Sequence, residues 1–194
     1  MPRYVKENYI MNNTDKFQWS SITGDKYWAM KDILDDPATS DAEKEVELVS
    51  LVTGLDEETI WNLPLDESLD LINKLAFLNS FSLIPNFKPK YINTPSFKLK
   101  VLDNIARLTY VQFVDYQQYM SRPLRDSYDK LLSIFLIPDK CSYNSGYDIA
   151  EVQRELREYL GWREIQSLLN FFLKRSVELL HRSLTCYQHQ MKKS

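Results

Sequence analysis

Glycine, cysteine and histidine are scarce in this 194-residue chain: four glycines, two cysteines and two histidines. Each shortage removes a class of function. Four glycines leave no glycine-rich loop to cradle a phosphate, and no nucleophile-elbow or zinc-ligand pattern occurs. Cys141 and Cys186 lie 45 positions apart without a Cys-x-x-Cys spacing. That predicts two unpaired thiols in a reducing compartment. His181 and His189, eight positions apart on one helix, would stand ~12 Å from each other and cannot share a metal. His181 also falls among Lys174, Arg175, Glu178 and Arg182, on what should be a wet face. A cysteine–histidine dyad would need Cys186 with one of these histidines, and nothing in the sequence supplies a third group to orient it. Long apolar runs are missing as well. The first nineteen residues hold no core of signal-peptide length, and no stretch approaches ~18 apolar residues, so the expectation is a cytosolic chain with no membrane role.

Carboxylates are plentiful, as in Asp32, Asp35 and Asp36, in Glu43, Glu45 and Glu47, and in Asp56, Glu57 and Glu58. A catalytic pair or a metal cluster would need some of them desolvated together. They fall instead at helix ends or opposite apolar stripes, where water solvates them. No catalytic residue, metal site or cofactor is expected, and the chain reads as a non-enzyme.

What the chain has is aromatic surface: twelve tyrosines, nine phenylalanines and four tryptophans, with 44% hydrophobic residues overall. Such side chains are buried or form contacts. The polar segment 1–22, with isolated Tyr4, Tyr9, Phe17 and Trp19, is expected to be an arm that orders only against something else. Thr23 is placed to cap a helix with Tyr27, Met30, Ile33 and Leu34 on one face, stopped by Asp36-Pro37. Ser40 or Asp41 starts the next helix, with acids in its first turn and a stripe of Val46, Leu48, Val49, Leu51 and Val52. Gly54 falls where a helix exits through a left-handed residue. Asp56 caps a short turn, Pro64 ends it, and Asp66 is read as the cap of a further helix. Leu55, Ile60, Trp61, Leu63 and Leu65 are expected to pin this corner to its neighbours.

Between residues 81 and 108 the pattern changes to alternation, with Phe97, Leu99 and Val101 on one face and Lys98 and Lys100 on the other. With Asn93-Thr94-Pro95-Ser96 as the turn, this predicts a small β-hairpin. Beyond it, Thr109 caps a helix through Met120, "PLRDSYDKLLSIFLI" reads as another with Pro123 in its first turn and Pro138 past its end, and Asp148 caps a third ending at Gly161. Residues 162–194 keep an apolar stripe from Ile165 through Met191 for about seven turns, a helix roughly 40 Å long. The expected fold is mainly α with a small β-hairpin (α+β). It is a multi-helix bundle ending in one long C-terminal helix, organised as an arm (1–22), an N-terminal helical subdomain (23–80), a hairpin connector (81–108) and a C-terminal helical subdomain (109–194).

Two surfaces invite a functional reading. Lys88, Lys90, Lys98 and Lys100, interleaved with Phe87, Tyr91 and Phe97, could track single-stranded nucleic acid. Lysines also protect a hairpin edge from further strand pairing. With a formal net charge of −3 opposing phosphate, edge protection is the favoured reading and nucleic acid is not expected. Tyr116, Tyr119, Tyr143 and Tyr147 sit at helix ends and loops, where they serve either as peripheral core or as rigid contact area. Together with Tyr4, Tyr9 and Trp19 of the arm and Tyr187 of the tail, they are the candidate partner-binding residues.

The segments "EKEVELVSLVTGLDEETIWNLPLDESLDLINKLAFL", "LTYVQFVDYQQY" and "LLSIFLIPDKCSYNSGYDIAEV" carry a resemblance to small helical proteins of tailed bacteriophages of the crAss-like group and other phages of Bacteroidetes. The first half is similar to phage tail-assembly chaperones: a helix, a Thr-Gly-Leu corner, a short acidic turn, Leu-Pro-Leu, then a helix ending in Phe-Leu. The resemblance implies a non-enzymatic morphogenesis protein that binds other phage structural or tail proteins. It implies residence in the host cytoplasm during assembly and transfers no catalytic residue. A structural component retained in the virion is the alternative, a single-stranded nucleic-acid accessory protein stands third, and a homo-oligomer is left open.

Overall fold

The computed structural model describes residues 16–85, 87–102 and 107–175. The chain divides into two compact units, one built from Met1–Leu83 with Leu160–Arg163, the other from Ile84–Tyr159 with Glu164–Ser194. It is mainly helical, with a three-stranded antiparallel sheet in the second unit.

The first unit is a set of short helices, the first three of them started by side-chain caps. Thr23 accepts from the Lys26 backbone N–H at the start of α1, Gly24–Asp35. Ser40 and Glu43 form a reciprocal capping box on α2, Asp41–Thr53, so two orphan N–H groups are satisfied at once. The hydrogen bonds from Ser40 hold the Glu43 carboxyl below its ordinary pKa. Val46, Leu48, Val49 and Val52 of α2 are buried. Gly54 leaves the helix at φ 73°, a conformation costly for any residue with a Cβ. Asp56 accepts from Thr59 N and caps the single turn α3, Glu57–Trp61.

The next helix, α4, Leu65–Lys74, differs from expectation at its start. Pro64 occupies the cap position without a side-chain hydrogen bond, and Asp66 lies within the first turn. Proline suits this boundary because its missing N–H has no intrahelical partner there. The corner is also pinned by fewer posts than the sequence suggests. Ile60 is buried, but Trp61 is 55% and Leu65 75% exposed. A 3-10 turn, Leu75–Ser80, follows α4.

Part of the expected arm belongs to this unit. Phe17 is buried edge-to-face on Phe77, and Trp19 packs on Phe77 and Phe81 while its Nε1–H donates to the Phe77 carbonyl at 3.0 Å. The later strand-like contact of Gly161 with Thr23 brings Trp162 into the same unit, where its ring stacks on Tyr27 at 3.9 Å.

The second unit is built on the sheet β1 (Tyr91–Asn93), β2 (Lys98–Val101) and β3 (Leu136–Pro138), in that order. Ile92 pairs with Leu99, and Leu99 with Pro138. Ile92, Leu99, Val101 and Leu136 are buried, whereas Lys98 and Lys100 are exposed, as strand alternation requires. The hairpin expected from sequence is present, and β3 extends it. The segment read as one helix ending before Pro138 is instead a 3-10 turn at Leu124–Asp126, then α6, Tyr128–Phe135, then β3. Pro138 is tolerated because β3 is an edge strand.

Between β2 and α6 lies α5, Tyr110–Met120, with a capping box of Thr109 and Gln112. After β3 comes α7, Ile149–Tyr159, whose first turn is closed by Asp148 Oδ1 accepting from Ala150 N at 2.9 Å. A helix over residues 162–175, α8, completes the described chain. Its expected continuation to residue 194 lies outside the described residues. Helices α6 and α7 pack together; Leu132, Val152 and Leu156 are fully buried, and the two helices are joined by an Arg157–Asp129 ion pair at 2.7 Å and by Gln153 donating to Ser133 Oγ at 3.1 Å. Phe135 stacks on Phe172 at 4.1 Å.

The overall charge conceals a division. The first unit carries eight Lys and Arg against sixteen Asp and Glu, a formal −8, and the second carries sixteen against eleven, +5.

Candidate protein-contact surface

Helix α5 is turned inside out relative to its apolar pattern. The helix starts where Thr109 Oγ1 accepts from Gln112 N at 3.3 Å, while Gln112 Oε1 accepts from Thr109 N at 3.0 Å. That box aims Gln112 at the interior. Gln112 is 2% exposed, and its Nε2–H donates to the Ile134 carbonyl, the penultimate residue of α6, at 2.8 Å. A buried amide is tolerated when its donors and acceptors are met. The same side chain thus starts one helix and ties it to the next.

With Gln112 inward, helical geometry turns Tyr110, Val111, Phe113 and Val114 outward. Tyr110 is 81% exposed and Val111 56%, and Phe113 and Val114 are exposed as well. Asp115 is the helix's one charged residue, and it accepts a hydrogen bond from Tyr143 at 2.8 Å. Across its outer side α5 therefore presents apolar side chains and the uncharged Gln117 and Gln118.

At the other end of α5 the tyrosines form the wall of a groove. Tyr116 meets Phe135 edge-to-face at 5.8 Å, and Arg122 lies over the Tyr119 ring at 5.5 Å. Tyr116, Tyr119, Leu131, Phe135, Leu169 and Phe172 line a cavity of about 150 Å³. A cavity near that volume accepts a benzene-sized group when its walls are aliphatic and aromatic. Met120, Leu124 and Leu173, all partly exposed, extend its rim.

The candidate residues named from sequence separate into three groups. Tyr116, Tyr119, Tyr143 and Tyr147 lie in the second unit and are each partly buried. Tyr116 and Tyr119 line the groove, and Tyr143 is fastened to α5 through Asp115. Burial, with the Asp115 carboxylate next in weight, holds the Tyr143 hydroxyl far above its ordinary pKa, so it stays a donor. Burial also raises the pKa of Tyr147. Trp19 belongs to the first unit, held by Phe77 and Phe81. Tyr4, Tyr9 and Tyr187 lie outside the described residues, as do Cys186, His181 and His189.

Sequence reasoning missed the exposed quartet of α5, since Val111, Phe113 and Val114 have the spacing of a core-facing stripe. The capping box alone could not have found it, because Gln112 at the third position of one box is buried while Glu43 at the same position of the other is exposed.

Cys141 is a free, partly exposed thiol beside the Gly146 carbonyl. Among the described residues, no three His, Cys, Asp or Glu side chains gather where they could hold a metal. Nor is any described helix long and apolar enough to cross a membrane. No family model, no curated protein and no solved structure matches the chain.

Proposed function

We propose that this protein works by binding other proteins, and that its setting is the assembly of a tailed-phage particle, in the manner of a tail-assembly chaperone. One observation supports the binding role above the rest: the outer side of α5 presents Tyr110, Val111, Phe113 and Val114 to solvent with no charge among them. Proteins that act alone rarely expose contiguous apolar patches larger than a few hundred Å². The groove bounded by Tyr116 and Phe135 adds a receptacle for one large apolar side chain. The phage setting rests on the sequence resemblance, and it assigns no catalytic residue and no cofactor.

The test uses the tagged chain expressed during phage infection. The wild type should retain a phage structural or tail protein, and Val111→Glu with Val114→Gln should lose it while keeping its helical circular-dichroism spectrum. Retention of the same partner by that variant would overturn the assignment of α5. Mass spectrometry of purified particles separates the two versions of the role. A chaperone is absent from the particle, and a structural component is present in fixed copy number.

A further inference from the structure

We infer that copies of this chain associate head to tail, the acidic α3–α4 surface of one copy seating on the lysine face of the sheet of another. The receiving face is the outer side of the hairpin. Lys98 and Lys100 project from β2 opposite Asn93 and Tyr91 of β1. Lys98 Nζ lies 4.2 Å from the Tyr91 ring centroid and Lys90 Nζ 5.5 Å from it. Lys88, Lys90, Lys98 and Lys100 are all exposed, and none pairs with a described carboxylate. Lysines at a strand edge block further strand pairing. These two, however, project from β2, the central strand, so edge protection does not account for them.

The donated surface combines charge with apolar area. Glu57 and Glu58 of α3 and Asp66 of α4 are acids without a described cationic partner. Trp61, Leu65 and Leu69 stand exposed among them. Two of the positions expected to pin this corner, Trp61 and Leu65, are thus open to solvent, on the same two helices as these acids. Acids complement the lysines, and the exposed tryptophan offers its ring face to an ammonium group.

The choice of a second copy rests on the charge division of the molecule, −8 in one unit and +5 in the other. A chain with complementary surfaces at different places makes a heterologous contact, which propagates into a ring or an open filament.

Sedimentation of the full-length chain over a range of concentrations tests this, once at low salt, about 50 mM, and once at about 500 mM, where screening is strong. The wild type should gain mass with concentration at low salt and return to monomer at high salt. Lys98→Glu with Lys100→Glu should remain monomeric at low salt, and so should Glu57→Lys with Glu58→Lys. Mixing the two variants should restore association, because each then meets a face of opposite charge. All four positions are exposed, so unchanged circular dichroism is expected. A wild type that stays monomeric at low salt overturns the inference, as does self-association that neither variant alters or a mixture that fails to associate. A single-stranded oligonucleotide that binds the wild type, is lost with the lysines and leaves no self-association would overturn it by assigning the face to nucleic acid. A failure of α5 to bind partners would leave each of these outcomes unaffected.

Discussion

Helices α2 and α5 both carry valines at helical spacing, and they use them in opposite ways. In α2 the valines are buried and Val49 is 0% exposed; in α5 the valines face water and a glutamine is buried. The amphipathic pattern alone does not distinguish them. The difference lies in what each capping box does. Glu43 at the start of α2 is exposed and closes its own helix, whereas Gln112 closes α5 and also reaches the Ile134 carbonyl of α6. A polar side chain with a partner inside fixes which side of a helix is inside.

The largest test of that contrast is Val49→Asp in α2. An isolated carboxylate among apolar neighbours costs at least several kcal/mol, enough to unfold the first unit. Loss of the Trp19 and Trp162 environment by fluorescence should report it. A variant with a near-wild-type melting transition would show that the α2 stripe is not core.

Next in size is Gln112→Ala. It removes half of a capping box and leaves the Ile134 carbonyl without its donor, an expected cost of about 1–3 kcal/mol. Chemical denaturation measures it. If Gln112→Leu proved as stable as the wild type, a hydrophobe would do equally well at that site, and the glutamine would not be what orients α5.

Of these two positions, Val49 was readable in the sequence as part of a buried stripe and the burial of Gln112 was not. The caps Thr23, Ser40, Asp56, Thr109 and Asp148, the left-handed Gly54 and the β1–β2 turn were legible because each depends on residues within a few positions. Strand β3 was not, since Leu136–Pro138 pairs with β2 nearly forty residues away. Phe17 and Trp19 were read as part of an arm that orders only against something else, because their partners Phe77 and Phe81 are about sixty residues distant. Two of the candidate tyrosines, Tyr116 and Tyr119, line the groove, but the partner of a third was hidden: Tyr143 meets Asp115 across 28 positions. Of the acid-rich corner, the turn was legible, and the exposure of Trp61 and Leu65 was not, because it depends on what fails to pack there.

Helix α7 repeats the lesson with a charge. Glu155 interrupts its apolar stripe, yet the side chain is 1% exposed and accepts from the Ser96 backbone N–H at 3.2 Å. Burial raises its pKa most among the single influences, but hydrogen bonds from Ser96 and Thr94 and the charge of Arg154 together leave it below the ordinary 4.5. A carboxyl lowered on folding contributes stability that is present above its unfolded pKa and is lost as pH falls through the folded value. Glu155→Gln should therefore cost about 1 kcal/mol near neutral pH, the scale of one charge-assisted hydrogen bond. The gap from wild type should close below pH ~4.5, the unfolded carboxyl range. A difference that stays constant between neutral and acid pH would show that Glu155 does not hold the hairpin turn as a carboxylate.

The smallest effect on stability is also the most telling for function. Val111→Glu with Val114→Gln replaces two valines on the open side of α5 and touches neither Gln112 nor the groove. Exposed substitutions usually fall within about 0.5 kcal/mol of wild type, and an acid in the first turn of a helix is favoured by its dipole. Thermal melting should shift by no more than a few degrees in either direction. Binding of an apolar dye should fall, because solvent-facing apolar area is removed. If the same variant instead melted far below wild type, the valines would be supporting the fold of the isolated chain. Helices α2 and α5 would then be alike, and the contrast between a buried stripe and an offered one would collapse.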